Sequence, residues 1–272
     1  MKKFLIAGAA LAALIGTPAL AADMAAPVYK APPPAAPVWS WTGFYIGLNG
    51  GGVWGKDHLT SSPADAGTAA FWAPCGVAGA CPFDYGNGST GTSGEFGAQA
   101  GYNWQISNFL IGVETDVQWT DAKSNSAVAL ANVGTGFVPF NGQATSKLDW
   151  FGTTRGRLGV VAAPAWLLYG TGGVAYGTVK RTWTQNFPVT GQLVAGANSQ
   201  NAVGWTAGAG TEWMFAQNWT LGLEYLYIKF ESTNFAATGF GSIGCTAANC
   251  NFNVHSSGFQ ANVARLKVNY KF

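Results

Sequence analysis

The stretch that decides the fold is Leu266-Lys267-Val268-Asn269-Tyr270-Lys271-Phe272, at the carboxyl end of the chain. Apolar and polar residues alternate through it without a break, which is the side-chain period of a β-strand. One face would carry the aliphatic and aromatic residues, and the other the two lysines and the asparagine. A soluble domain seldom leaves a terminal strand this amphipathic without a capping segment. A membrane on the apolar side explains the pattern.

The composition of the whole chain supports that reading. Aromatic residues make up 14% and charged residues only 10%, whereas an ordinary soluble domain carries roughly 25% charged residues. After the amino-terminal segment, no stretch is apolar over the ~18 residues that indicate a spanning helix. Low charge, many aromatics and no spanning helix predict a transmembrane β-barrel.

The amino-terminal region reads as a segment that targets the chain for export. Lys2 and Lys3 precede an apolar run from Phe4 to Ile15, and small residues follow at Ala19-Leu20-Ala21. This order predicts a signal peptide over residues 1–22, and the run is shorter than the ~20 residues of a membrane anchor. The proline-rich residues 23–40 are predicted to form an extended periplasmic linker, which leaves residues 41–272 for the barrel.

Alternation and turn signals divide that region into strands. The predicted strands lie near residues 41–54, 96–105, 109–119, 148–160, 166–178, 203–213, 219–228 and 266–272. Short turns alternate with long connections at 55–94, 120–146, 180–202 and 231–255. This rhythm predicts an all-β, eight-stranded, antiparallel up-and-down barrel, with both termini in the periplasm and the last strand closing on the first. The residues expected in two interfacial aromatic girdles are Trp41, Trp54, Trp104, Trp119, Trp166, Trp219 and Tyr270.

Four sequence stretches resemble a known family. They are Trp41-Thr42-Gly43-Phe44-Tyr45-Ile46-Gly47, Asp149-Trp150-Phe151-Gly152-Thr153-Thr154-Arg155-Gly156-Arg157-Leu158-Gly159, Gly204-Trp205-Thr206-Ala207-Gly208-Ala209-Gly210 and Glu224-Tyr225-Leu226-Tyr227. They resemble the small Gram-negative outer-membrane β-barrels described as outer-membrane immunogenic or porin-family proteins, which share the fold of the OmpA transmembrane domain. The resemblance implies an abundant surface antigen of the bacterial outer membrane.

The carboxyl terminus carries a second resemblance. Leu266, Val268, Tyr270 and Phe272 are similar to the terminal signal that the barrel-assembly machinery reads in outer-membrane proteins. The same four residues would also face lipid, and one reading does not exclude the other. The resemblance implies that the assembly machinery and the outer-membrane lipid are partners of the chain, whereas a ligand of the extracellular loops stays unknown.

Charged residues on the predicted inward faces form the candidate site. The set is Glu114, Asp116, Asp149, Arg155, Arg157, Glu212, Glu224, Arg265 and Lys267. Paired carboxylates on one face are typical of acid–base catalysis as well as of ion pairing. An eight-stranded barrel has an interior that side chains just fill, and an unpaired buried charge is costly. We therefore expect a network that plugs the lumen, with catalysis or a narrow ion path as the alternatives.

The four cysteines occur as two short-range pairs, Cys75 with Cys81 and Cys245 with Cys250. Export to an oxidising compartment favours local disulfides, although four cysteines allow three connectivities. A zinc site is the competing interpretation. The only two histidines, His58 and His255, do not complete a ligand cluster with them.

Other classes of function find little support in the sequence. Without Lys2 and Lys3 the basic residues equal the 12 acidic ones, so no basic patch indicates nucleic acid. Gly170-Thr171-Gly172-Gly173-Val174-Ala175 has the spacing of a dinucleotide fingerprint, but neither a helix nor an acidic residue follows as that motif requires. We expect a structural outer-membrane protein without cofactor or catalytic site, with a narrow porin-like channel as the alternative and an outer-membrane enzyme as a weaker one.

Overall fold

The computed structural model describes residues 39–70, 83–88, 91–130, 140–187, 191–240 and 250–272. The predicted signal peptide and nearly all of the predicted linker lie outside these residues. The strands are β1 (Gly43–Lys56), β2 (His58–Pro63), β3 (Phe83–Asn87), β4 (Ser93–Ile106), β5 (Phe109–Leu130), β6 (Phe140–Ala163), β7 (Trp166–Phe187), β8 (Gln192–Ala216), β9 (Trp219–Phe230), β10 (Thr233–Phe240), β11 (Asn251–Ser256) and β12 (Gln260–Lys271). No helix in these segments is long and apolar enough to cross a membrane.

Eight of the strands form a closed antiparallel ring. Following the hydrogen bonds, the order is β1, β4, β5, β6, β7, β8, β9, β12 and back to β1. The terminal strand β12 pairs with β1 from Tyr45 opposite Lys271 to Lys56 opposite Gln260. The predicted closure of the last strand on the first is therefore confirmed, and this ring has no unpaired edge.

The faces of the ring follow the predicted alternation. On β1, Phe44, Ile46 and Leu48 are exposed on the outer face, whereas Tyr45 and Asn49 are buried inside. Exposed aromatic residues mark both borders of the outer apolar zone, with Trp104, Trp166 and Trp219 at one border and Trp54 and Trp119 at the other. The periodicity therefore assigned the faces of β1 correctly.

Trp41 is an exception to the predicted aromatic borders. Its side chain is only 1% exposed, and its indole Nε1 donates a hydrogen bond to the carbonyl of Pro164 at 3.3 Å. It packs with Leu110, Leu167, Tyr169 and Met214 inside the ring, near the short turns. Since Trp41 precedes β1, strand periodicity did not determine its direction.

All four long connections were predicted as loops, but strands occupy much of each one within the described residues. β5 continues to Leu130 opposite β6 from Phe140, and β7 continues to Phe187 opposite β8 from Gln192. Short strands replace much of the other two connections. Among them, β10 pairs with β8, β11 pairs with β10, β2 pairs with β11, and β3 pairs with β2. We call this region, which lies beyond Trp54 and Trp119 and includes β2, β3, β10 and β11, the upper tier. Its strands were missed because their outward residues are polar and no lipid-facing apolar alternation marks them.

Candidate functional site: a buried charge cluster

Strand register brings the predicted charged residues to one level inside the ring. Glu114 on β5 lies opposite Arg155 on β6, and Glu224 on β9 lies opposite Arg265 on β12. Both pairs face inward because side chains alternate along each strand. Glycines on neighbouring strands make space for two buried tyrosine side chains of the site. A Cβ added at Gly101 would lie 2.4 Å from the Tyr45 hydroxyl, and one added at Gly210 would lie 2.5 Å from the Tyr169 hydroxyl.

Glu114 is the most connected carboxylate of the site. Lys267 Nζ lies 2.6 Å from its Oε2 and 2.7 Å from its Oε1, and Arg155 Nη2 lies 2.5 Å from Oε1. The Tyr45 hydroxyl donates to Oε2 at 2.7 Å, and Arg157 Nη1 lies 3.4 Å from the same oxygen. All of these side chains are essentially inaccessible to solvent.

Asp116 and Glu224 share the remaining arginine. Arg265 Nη2 donates to Asp116 Oδ2 at 2.8 Å and to Glu224 Oε1 at 2.6 Å. Asp116 also accepts from Arg155 at 2.6 Å, and from the backbone N–H and hydroxyl of Thr153 at 3.0 and 2.8 Å. Each carboxylate thus has more than one charged donor, as a buried charge requires.

Arg157 completes the site on the side of β8. Its Nη2 pairs with Glu212 Oε1, and its guanidinium carbon lies 4.0 Å from the centre of the Tyr169 ring. Tyr169 donates to Glu224 Oε2 at 2.9 Å, so the two residues link Glu212 to the rest of the site. The structure therefore brings eight predicted residues into one cluster of four acids and four bases, the charge cluster: Glu114, Asp116, Arg155, Arg157, Glu212, Glu224, Arg265 and Lys267.

Asp149 is the one predicted member that lies elsewhere. Its carboxylate pairs with Lys180 at 2.6 Å and with Lys147 at 3.1 Å, and its side chain is 24% exposed. The pairing of β6 with β7 shifts between Leu148 and Trp150, so Asp149 occupies a bulge and Leu148 turns inward. A bulge reverses the alternation that placed Asp149 inside, and the expectation for this residue was wrong.

Other inward residues around the cluster were not predicted from the sequence. Tyr45 donates a hydrogen bond to Glu114, and Tyr169 donates one to Glu224. The alternation of β1 places Tyr45 on the inward face, so its direction could have been predicted from the sequence. Glu95 on β4 is only 5% exposed, and neither of its carboxylate oxygens has a hydrogen-bond partner within the described part of the chain. Its inward position follows from the alternation of β4, but its lack of a donor has no sequence signal.

Apolar layers lie on both sides of the charge cluster. Towards the short turns, the group around Trp41 and Met214 fills the ring. Towards the upper tier lies a larger group of buried residues that contains Phe151, Phe230 and Phe259. Beyond the buried amides that adjoin it, such as the hydrogen-bonded Gln99 and Asn269, the cluster therefore has an apolar group on each side.

A second buried ion pair lies higher, where β1 gives way to β2. Asp57 Oδ2 accepts from Arg181 Nε at 3.0 Å and from the Ser146 hydroxyl at 2.7 Å, and Ser256 donates to Oδ1 at 2.7 Å. The backbone N–H of Asp57 donates to Ser124 at 3.0 Å. This group, the Asp57 junction, ties β5, β6, β7 and β11 to one residue. It was missed because Arg181 fell in a predicted loop.

The cysteine prediction falls mostly outside the described residues, which include Cys250 but not Cys75, Cys81 or Cys245. Cys250 is fully buried in the apolar group of the upper tier. The described segments contain no group of three or more His, Cys, Asp or Glu residues suited to a metal ion. The pairing of the cysteines stays a prediction.

The predicted assembly-signal residues form part of the outer face. Leu266, Val268 and Phe272 are exposed, and the Tyr270 ring lies 5.1 Å from the rings of both Trp219 and Phe272. The ring of Phe272 lies 5.8 Å from that of Phe44 on β1. The apolar side of the terminal strand is thus continuous with an aromatic patch at the end of the ring where the short turns lie.

Comparison with known proteins gives the family. Residues 7–272 match the model of the outer membrane protein beta-barrel domain. The 31 kDa outer-membrane immunogenic protein of Brucella melitensis is 35% identical over 269 residues, covering 97% of this chain and 98% of that protein. The 22 kDa outer membrane protein of Rhizobium leguminosarum is 29% identical over 88% of this chain and 82% of its own length. The chain belongs to the outer-membrane β-barrel family and is a protein of the bacterial outer membrane.

Solved structures resemble the chain more distantly. The structure of the outer membrane protein OprG of Pseudomonas aeruginosa aligns with 85% of this chain and over 97% of its own length, with 11% sequence identity and a TM-score of 0.42.

Proposed function

We propose that the protein is a structural, surface-exposed β-barrel of the outer membrane whose lumen the charge cluster fills. The supporting observation is the complete burial of Arg155, Arg157, Arg265 and Lys267 among four carboxylates, at a level with an apolar group on each side. A conducting lumen needs hydrated polar side chains, whereas these are paired with one another and inaccessible to solvent.

The outer face of the ring supports a transmembrane position. On β5, exposed residues from Phe109 to Trp119 are apolar apart from Thr115. At about 3.3 Å per residue and a tilt near 40°, these two aromatics lie roughly 25 Å apart along the barrel axis, which is the height of the apolar band in outer-membrane barrels.

The unequal ends of the ring support an orientation. Short turns such as Ser107-Asn108 lie at the same end as Phe272, and the upper tier extends from the other end. Outer-membrane barrels have short periplasmic turns and long extracellular segments. We therefore place both termini in the periplasm and the upper tier outside the cell, where it would act as an antigen. The Brucella relative is named as immunogenic.

Conductance tests the filled lumen against a narrow channel. Protein reconstituted in planar bilayers should show no steady openings, whereas persistent unitary currents would contradict the structural role. The double variant Glu114→Ala with Lys267→Ala removes a buried ion pair and should introduce openings if it still folds. Retained differences in gel mobility between unheated and boiled samples would show that the ring persists.

The aromatic patch at Phe272 supports recognition by the assembly machinery. We propose that the outward side of β12, ending on Phe272, is read during insertion. Phe272→Asp should lower outer-membrane levels several-fold in cells, because a charge replaces the terminal aromatic. Leu221→Asp on neighbouring β9 is the control, because it also places a charge on the lipid face. It separates the loss of recognition by the assembly machinery from the cost of a charge in lipid. Equal loss in both variants would contradict a specific signal.

A further inference from the structure

Three lysines line up across the outer face just above one aromatic border. Lys123 on β5 is directly opposite Lys147 on β6, which is directly opposite Lys180 on β7. We call them the first lysine row. Like charges placed directly opposite one another destabilise a sheet, so their alignment across three strands has an electrostatic cost.

Two aspartates offset part of that cost. Asp121 pairs with Lys123 at 3.1 Å and with Lys147 at 2.8 Å, whereas Asp149 pairs with Lys147 and Lys180. The hydrogen bond from Lys147 lowers the pKa of Asp121, and that from Lys180 lowers the pKa of Asp149. Both aspartates are therefore charged at neutral pH, and the row keeps one excess positive charge. The two end lysines each have a single carboxylate partner and are about half exposed.

A second lysine row lies on the opposite arc of the ring. Lys56 on β1 and Lys229 on β9 are both opposite Gln260 of β12, so two strand spacings separate them, as they separate Lys123 from Lys180. Neither lysine forms an ion pair within the described segments. Both lysines lie two residues beyond an outward aromatic, Trp54 or Tyr227.

The surface below the first row is apolar and shallow. Trp119 and Trp150 lie directly beneath, with the ring of Trp150 6.3 Å from that of Tyr176. Further down, β6 and β7 have glycines on the outer face, and a Cβ added at Gly156 or Gly172 would meet no atom closer than 3.6 Å. Exposed Leu158, Leu168 and Val174 border this strip. An extended hydrocarbon chain fits such a strip.

The surface above the first row is polar and uncharged. The outward residues are Asn125, Gln143, Thr145, Thr182 and Thr184, and Thr145 donates to Asn125 at 3.0 Å. Amide and hydroxyl groups of this kind form hydrogen bonds with sugar hydroxyls. From the membrane outwards, the face is thus apolar, then cationic, then neutral and polar.

We propose that each lysine row binds the phosphates of one phosphorylated glycolipid of the outer leaflet. The lysines at the ends of each row lie roughly 10 Å apart, two strand spacings, so they would contact two phosphates on one sugar headgroup. The acyl chains would pack on the apolar face and, at the first row, further sugars would contact the amides and hydroxyls. An acidic peptide or a soluble polysaccharide would leave the apolar strip uncovered. The order of the apolar, cationic and neutral polar zones therefore favours a lipid.

This inference rests on the proposed position in the outer membrane. Its test uses folded protein in detergent with lipid A bearing two phosphates, and native mass spectrometry to count retained lipids. We expect two lipids on the unmodified protein. Lys123→Gln with Lys180→Gln should leave one lipid, Lys56→Gln with Lys229→Gln should leave one, and the quadruple variant should leave none. Affinity at each lost site should fall at least tenfold.

Two controls make the result specific. Lys271→Gln removes a lysine at the other end of the ring and should leave the count unchanged. Lipid A without phosphates should not be retained. Unchanged counts in the row variants, or equal retention of the dephosphorylated lipid, would overturn the inference. Insertion into vesicles is measured in parallel: failure to insert would contradict the proposed function, whereas insertion with unchanged counts contradicts only the lysine rows.

Discussion

The charge cluster and the Asp57 junction are both buried ionic sites, but they are connected differently. In the charge cluster, Glu114, Asp116 and Glu224 each contact at least two cationic side chains. In the junction, Asp57 is the one carboxylate among the described residues that Arg181, Ser146 and Ser256 all contact. The cluster joins strands that are already paired in a closed ring. The junction joins β1 and β2 to strands of the upper tier. Redundant ion pairs therefore cross the ring, whereas at the junction a single carboxylate carries the ionic contact between the start of β2 and the upper tier.

The largest effect is expected at the centre of the charge cluster. Glu114→Gln leaves Lys267 and Arg155 short of a counter-charge, and breaking a buried ionic group by removing one partner costs about 3–5 kcal/mol. The free energy of unfolding, from urea titration in lipid vesicles, should fall by that amount across the whole ring. Glu231→Gln, at an exposed carboxylate, is the matched control and should change little. A loss of less than about 1 kcal/mol for Glu114→Gln would show that the cluster does not stabilise the ring.

A smaller and local effect is expected at the junction. Asp57→Asn removes the counter-charge of Arg181 and weakens the acceptor for two serines, a loss of about 2–3 kcal/mol. Since the ring pairs independently of Asp57, gel mobility of unheated protein should be unchanged. Amide exchange should instead accelerate in β2, β3 and β11. Equal acceleration in β9 and β12 would show that the ring and the tier form one cooperative unit, and the contrast between them would be lost.

The smallest effect has the opposite sign. Glu95 is a buried carboxylate without a hydrogen-bond donor in the described segments, while the eight cluster residues already balance in charge. Glu95→Gln replaces the carboxyl group by a neutral amide of the same shape and removes the desolvation cost of the ionised form, so the free energy of unfolding above neutral pH should rise by about 1 kcal/mol. Gln99→Glu, at a neighbouring inward position that is hydrogen-bonded, should have the reverse effect. Destabilisation by Glu95→Gln would show that Glu95 has a partner.

Much of the ring could be predicted because lipid imposes a strict alternation. The faces of Phe44, Ile46 and Leu48, and the inward direction of Arg155 and Lys267, follow from a period of two residues. The bulge at Asp149 was not predictable, because one extra residue leaves no mark in composition. The buried position of Trp41 depends on packing outside any strand. Arg181 was missed because the strands of the upper tier have polar residues on their outer face, so their alternation is weak.

The pairing of β2 between β3 and β11 bears on how the cell surface would be recognised. Residue Ser61 lies opposite Val254, and Thr60 lies opposite both Asp84 and His255. Antibodies against this region would bind epitopes assembled from segments far apart in sequence. Such epitopes exist only in the folded protein, so boiling should abolish recognition and short synthetic peptides should not compete for it.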